Sequence, residues 1–406
     1  MSMAGHAAEK KAFRLSMLIY DTRYRSITIQ VIALIALILV GLWLVSNTLS
    51  NLEALDKELG FGFLSEPAGY DINQRLVEYD SRSSHGRAAI VGILNTLLVA
   101  FLGCVLATVI GVLAGVARLS HNWIIARLMT VYIETFRNIP VLLWIVLMMA
   151  IFIETLPMPR AFKGDNPAAH MFLGDSVAFT NRGFYIPKPV FNEGSMLVVA
   201  VFLLSLVGIW FFGRWSKKRQ ALTGDILPSG WIKLGIFVVP TVLAFFIMGQ
   251  PVSLDYPVLK GFNFKGGLHL RNSLIALWLA LSFYTGAFVA EAVRAGIQAV
   301  SKGQSEAAAA LGLRPKRIMK LVILPQALRV IIPPLISQYL NLTKNSSLAI
   351  AVGYMDITAT LGGITLNQTG REMESLLLLM AMYLSISIAV SLIMNWYNES
   401  IKMRER

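Results

Sequence analysis

Eight stretches of this chain are long and apolar enough to cross a hydrocarbon layer, and no other feature limits its fold as severely. A helix needs about 20 apolar residues to span a bilayer core. Blocks of that kind lie near 27–49, 89–117, 128–153, 196–213, 232–250, 272–293, 332–353 and 375–397. Lipid offers no partner to a backbone N–H or C=O, so each block must satisfy its own hydrogen bonds as a helix. The expected fold is therefore all-α, a polytopic membrane helix bundle of about eight spans. The chain is 56% hydrophobic and 15% charged, with a mean hydropathy of +0.63, which leaves no room for a soluble globular alternative. The first block starts too deep for an ordinary signal peptide and reads as a retained anchor.

The net charge of +13 collects at the ends of the apolar blocks and forms no stripe. That argues for a bilayer with basic cytoplasmic loops and against nucleic acid as a partner. Lys10, Lys11, Arg14, Arg23 and Arg25 precede the first block, whereas Glu53, Asp56, Glu58, Glu66, Asp71, Glu78 and Asp80 follow it. The positive-inside rule then places the N-terminus in the cytoplasm and 50–88 outside. Counting onward puts 154–195 and 251–271 outside. Arg214, Lys217, Lys218 and Arg219, the loop around 301–330, and the tail with Lys402, Arg404 and Arg406 fall inside. Lys260, Lys265 and Arg271 run against this rule in 251–271. The Pro- and Gly-rich segment 154–195 reads as an external loop with little regular structure.

Between two apolar blocks lies SKGQSEAAAALGLRPKRIMKLVILPQALRVIIPP, residues 301–334. Ser301 is placed to cap a helix, with Gln304 completing a capping box. Ala307, Ala308, Ala309 and Ala310 propagate it with few side-chain atoms. Gly312 suits a left-handed end, and Pro315 the first turn of a second helix. A smooth alanine face ringed by Glu306, Arg314, Lys316 and Arg317 allows close approach of another protein. The alternative is a surface amphipathic helix without a partner.

The order Glu306-Ala307-Ala308, Gly312, Leu324-Pro325 resembles the EAA loop of ABC-importer membrane subunits. Three more stretches resemble the amino-acid branch of that family: Tyr132–Pro140, Tyr284–Ile297 running into Lys302-Gly303-Gln304, and Leu342–Leu348. The branch commonly has Gly-Thr where this chain has Asn138-Ile139. The resemblance implies a permease domain over 88–397 after a cytoplasmic N-terminus (1–26) and an extra span with its external loop (27–87). Within it, 155–270 is a two-span insertion with external loop and 301–330 the docking loop; 398–406 is a cytoplasmic tail. Its length makes the chain most similar to permeases of general L-amino-acid importers. The resemblance further implies a multi-pass protein of the bacterial inner membrane with both termini cytoplasmic. The implied partners are ABC ATP-binding subunits docking on Glu306, Ala307, Ala308, Gly312, Arg314 and Lys316, a second permease subunit, a periplasmic solute-binding protein and an amino-acid substrate. ATP and magnesium would belong to the partner subunit, leaving this chain with no cofactor and no catalytic role.

The residues themselves agree with that division. No GxxxxGK[ST] phosphate loop, HExxH, CxxC or GxSxG occurs, so neither a P-loop nucleotide site nor a common hydrolytic centre is encoded. The single Cys104 permits no intrachain disulfide, and five scattered histidines give no zinc spacing. Charges at span edges are costly and therefore informative. Glu134 and Arg137, and Glu291 and Arg294, are spaced to share helix faces. Each pair is either an interfacial anchor or part of a polar belt at a cytoplasmic gate. Lys344, with Asn345, Ser346 and Ser347, interrupts an apolar span and must face the bundle interior, a subunit interface or water. It either draws a substrate carboxylate or makes a structural pair. Asn95-Thr96 and Asn272-Ser273 read as interhelical bonding groups, and Gly103, Gly111 and Gly115 as a face for close helix packing. An ion-coupled secondary transporter is the competing function, but it calls for inverted repeats and mid-membrane carboxylates, and neither is visible. A channel or sensor would need no docking loop.

Overall fold

A computed structural model describes residues 17–54, 59–164, 166–225 and 227–401. Lys10, Lys11, Arg14, Asp56, Glu58, Lys402, Arg404 and Arg406, which entered the orientation argument, lie outside the described residues. Eight helices among the described residues have the length and hydropathy of a membrane span, so the chain is a polytopic helix bundle. Two units divide at Phe63. The first holds α1 (Met17–Tyr20) and α2 (Thr22–Ala54). α2 is apolar on all sides and buries none of its membrane window within the chain, as suits a helix solvated by lipid.

The second unit begins with α3 (His85–Arg118), α4 (Trp123–Asn138) and α5 (Val141–Thr155). The block 128–153, expected as one span, is broken. Pro140 has no N–H and holds Ile139 extended, at φ −105° and ψ 133°. α4 is therefore a separate helix, capped by Asn122, whose Oδ1 accepts the N–H groups of Ile124 and Ile125 at 3.0 and 3.3 Å. The membrane span starts only at Val141.

Strands β1 (Ala178–Thr180), β2 (Gly183–Ile186) and β3 (Lys188–Phe191) follow, then α6 (Ser195–Thr223) and α7 (Ser229–Ile247), which pack on each other. Beyond them come β4 (Val252–Asp255), β5 (Val258–Lys260), β6 (Asn263–Lys265) and β7 (Leu268–Leu270). β1, β2 and β7 form one antiparallel sheet, β3 pairs with β4, and β5 with β6. This corrects the expectation of an irregular loop. Strands of three or four residues give no readable alternation, and although β1 and β2 pair locally, the second neighbour of β2 and the partner of β3 come from beyond α6 and α7.

β7 leads directly into α8 (Asn272–Gln298). After it stand the short helices α9 (Lys302–Ala310) and α10 (Pro315–Ile318), then α11 (Leu324–Asn345), α12 (Leu366–Thr369) and α13 (Glu372–Ile401). The span containing α11 begins well before the expected 332, because a π turn over Met319–Ile323 joins α10 to α11 without a break. α8 is the centre of the bundle: 72% of its membrane window is buried, against 33% for α3 and less for every other span. α3 lies along it, and Gly111 and Gly115 of the expected glycine face make the contact, whereas Gly103 faces Leu342 of α11. A Cβ on Gly111 would sit 2.5 Å from the Val289 Cβ and 2.9 Å from the Gly286 carbonyl oxygen. One on Gly115 would sit 2.6 Å from the Ala290 carbonyl oxygen. In lipid such close backbone packing replaces the hydrophobic drive that holds soluble helices together.

Gly115→Ala should therefore push the helices apart and lower stability by about 1–3 kcal/mol. Gly235→Ala on α7, where nothing lies within 4 Å, should be neutral or slightly stabilising through helix propensity. Unfolding in mixed micelles titrated with SDS separates the two.

Candidate functional site

Three polar features interrupt the apolar bundle, and the α3–α8 contact organises the first. Arg118 ends α3, and its guanidinium reaches Glu291 of α8 at 2.6 Å and Glu134 of α4 at 3.5 Å. Arg294, one turn along α8, completes the group by pairing with Glu291 through Nε at 3.1 and 3.2 Å and through a terminal nitrogen. The expected pair of Glu134 with Arg137 is not made. α4 crosses the end of α3, so Glu134 meets Arg118, while Arg137 lies 5.5 Å over the Phe288 ring. Aromatic contacts fix that crossing. The Tyr132 hydroxyl donates to the Phe283 carbonyl at 2.7 Å, and Phe136 stacks on Trp144 with centroids 4.1 Å apart. The belt thus ties three helices through one arginine. Sequence spacing did not single out Arg118; its signal was its place one turn after Gly115, on the same helix face.

The second feature is the helical pair at 301–318. Gly312 takes φ +76°, the Leu313 N–H reaches the Ala308 carbonyl at 3.2 Å and the Gly312 N–H the Ala309 carbonyl at 2.9 Å, the closure expected of a glycine-ended helix. Arg314 and Pro315 then open α10. The capping box is absent: Ser301 caps with its backbone alone, accepting the Gln304 N–H at 3.1 Å. Glu306, Ala307, Gly312, Arg314 and Lys316 are exposed, but Ala308 is buried. Ala308 therefore holds α9 in place and presents nothing outward. Leu311, which the sequence reading passed over, is 83% exposed at the tip of the loop.

The third feature is the polar run of α11. Ser337, Asn341 and Lys344 are all exposed at spacings of four and three, so they form one polar stripe along a membrane helix. No ion pair reaches Lys344 among the described residues. Ser346 is buried and donates to the Thr343 carbonyl at 2.7 Å, which removes it from the exposed set. Asn345 and Ser347 are half-buried. The helix then breaks: a 3-10 turn over Ser346–Val352 ends at Gly353, and a π segment starts at Thr358. Asp356 lies fully buried in the break, accepting the Ala359 N–H at 2.9 Å and the Tyr383 hydroxyl at 3.1 Å. Nothing in the local sequence distinguished Asp356 from a surface turn residue.

A bundle of membrane helices with a broken, polar-striped span and an exposed helical pair at one end has the build of a transport permease. The chain belongs to the family described as binding-protein-dependent transport system inner membrane component, which it matches over residues 107–404. It is 53% identical to the glutamate/glutamine/aspartate/asparagine transport system permease protein BztB of Rhodobacter capsulatus, with 98% of each chain covered. It is 46% identical to the general L-amino acid transport system permease protein AapQ of Rhizobium johnstonii, over 97% of this chain and 96% of that one. The putative amino-acid ABC transporter permease protein YhdX of Escherichia coli is 45% identical over 93% and 94%. The chain is thus a multi-pass permease subunit of the inner membrane.

Arg118 and Glu291 should couple in a double-mutant cycle. Because both are partly exposed, the interaction energy from Arg118→Gln, Glu291→Gln and the double variant should be about 0.5–1 kcal/mol. Thermal unfolding of the purified chain in detergent supplies the four stabilities.

Proposed function

We propose that this chain is the membrane half of an ATP-driven importer of L-amino acids with broad specificity. The observation that carries the reading is the exposed stripe Ser337, Asn341 and Lys344. A lysine facing lipid at this depth is costly, so the stripe needs a second permease subunit beside it, with a hydrated path between them. The names of the three relatives support amino acids as the substrate class. A periplasmic binding protein delivers them, and both termini of the permease lie in the cytoplasm. Glu306, Ala307, Gly312, Arg314 and Lys316, with Leu311 at the tip, dock the ATP-binding subunit, which supplies ATP hydrolysis and its magnesium. Closure of the ATPase moves α9 and α10, and the belt of Arg118, Glu134, Glu291 and Arg294 passes that movement to α3 and α4. Arg137 seats α4 on α8, and Asn345 and Ser347 flank Lys344 along the path.

The ammonium of Lys344 attracts the α-carboxylate common to all amino acids, so Lys344→Ala should lower uptake of acidic, neutral and basic substrates together, per complex in the membrane. Loss confined to acidic substrates, or no loss at all, would remove Lys344 from this role. Leu311→Asp and Gly312→Arg should leave the chain in the membrane but abolish co-purification with the ATPase and transport. Normal co-purification would contradict the docking assignment.

A further inference from the structure

The end of the bundle under the strands holds a polar cluster that neither the docking loop nor the α11 stripe uses. The α3–α8 register, set where Gly111 faces Gly286 and Gly115 faces Ala290, brings Asn95 level with the first residues of α8. Asn95 is fully buried. Its Nδ2 donates to the carbonyls of Gln74 at 2.7 Å and Met355 at 2.8 Å, but its Oδ1 has no partner. Asn272, 2% exposed, donates to the Thr180 carbonyl at 3.3 Å, and its Oδ1 is also unpartnered. Arg271 stands at the N-cap of the 27-residue α8 without a side-chain cap, and its buried Nε has no partner. No ion pair reaches it among the described residues.

Gln74 covers this cluster. It sits in a loop pinned at its ends, where the Ala68 N–H reaches Ser83 at 2.8 Å and the His85 N–H reaches Glu66 at 2.9 Å. Ile72 and Tyr79 are buried on either side of it against Ala88 and Val91. The Gln74 Oε1 accepts the Arg271 N–H at 3.4 Å while its carbonyl accepts from Asn95. Two acceptors of one residue thus occupy two donors of the cluster and leave one cationic donor and two carbonyl-type acceptors unmet.

An unmet buried polar group costs about 1–3 kcal/mol, and these three belong to residues linked through Gln74 and the start of α8, where a single small ligand can answer them. We propose that Arg271, Asn95 and Asn272 form the entry site for the zwitterionic head of an amino acid, and that the Gln74 side chain competes with its carboxylate at the start of α8, where it holds the Arg271 backbone N–H. The carboxylate takes Arg271 Nε and the free N–H groups of the first turn of α8, where the helix dipole favours an anion. The ammonium takes the two Oδ1 atoms. The side chain is left unread, as broad specificity requires. This inference rests on the importer reading.

The test uses the complete permease complex in nanodiscs, without binding protein, and radiolabelled L-glutamine at equilibrium. Gln74→Ala should tighten binding by about tenfold or more, about 1.4 kcal/mol, and Arg271→Gln in that background should abolish the gain, with Arg271→Lys between them. On the unmutated complex, 4-aminobutanamide, which lacks the carboxylate, and glutaramic acid, which lacks the ammonium, should each compete at least about tenfold more weakly than L-glutamine. Equal competition by the analogues, or equal binding by Gln74→Ala and the unmutated complex, overturns the site. Uptake driven by the binding protein separates the two readings. A complex that imports glutamine yet shows none of these differences loses only the site, whereas one that imports no amino acid loses the importer reading as well.

Discussion

Backbone contact between α3 and α8 at Gly111 and Gly115 is the constraint on which the rest of the bundle depends. Where two membrane helices touch without intervening side chains, neither can slide without driving a Cβ into a carbonyl. The register of α3 against α8 is therefore fixed along its whole length. One end of that register delivers Arg118 to Glu291, and the other delivers Asn95 to the start of α8. Polar groups far apart along the membrane normal are thus placed by one apolar contact.

The belt at Arg118 shows how charge can be kept near a membrane boundary without becoming a rigid lock. Its members are a fifth to a half exposed, so water shares in solvating them and the net worth of each pair is small. A fully buried cluster would pull the three helices together more firmly, but breaking it would strand uncompensated charge. Partial exposure leaves a joint that holds a geometry yet can be rearranged at modest cost.

The spans were legible because lipid imposes a length and composition that few soluble helices imitate. The turn at Gly312 was legible for a similar reason, since glycine between an alanine run and an Arg-Pro pair has few other uses. What sequence could not supply were the meetings of distant residues. Glu134 and Arg137 stand three apart and look like a pair, but the break at Pro140 turns α4 so that Glu134 finds Arg118 instead. Ala308 belongs to an alanine face, yet which alanine points inward depends on where α9 rests. The strands at 178–191 were hidden because each is only three or four residues long, and because the second neighbour of β2 and the partner of β3 come from the far side of two membrane crossings.

Those strands have a consequence for how the protein is made. β2 leaves the ribosome long before β7, and in the proposed orientation both α6 and α7 must be inserted before β7 reaches the same side of the membrane. The sheet can therefore close only late, as a clasp over a hairpin already in place. It also makes the inserted segment a single piece of architecture. Removing the hairpin together with β4 and β7 would leave β2 and β3 with bare edges, so a shorter relative could acquire or lose this region cleanly only by taking the whole clasp along with the hairpin.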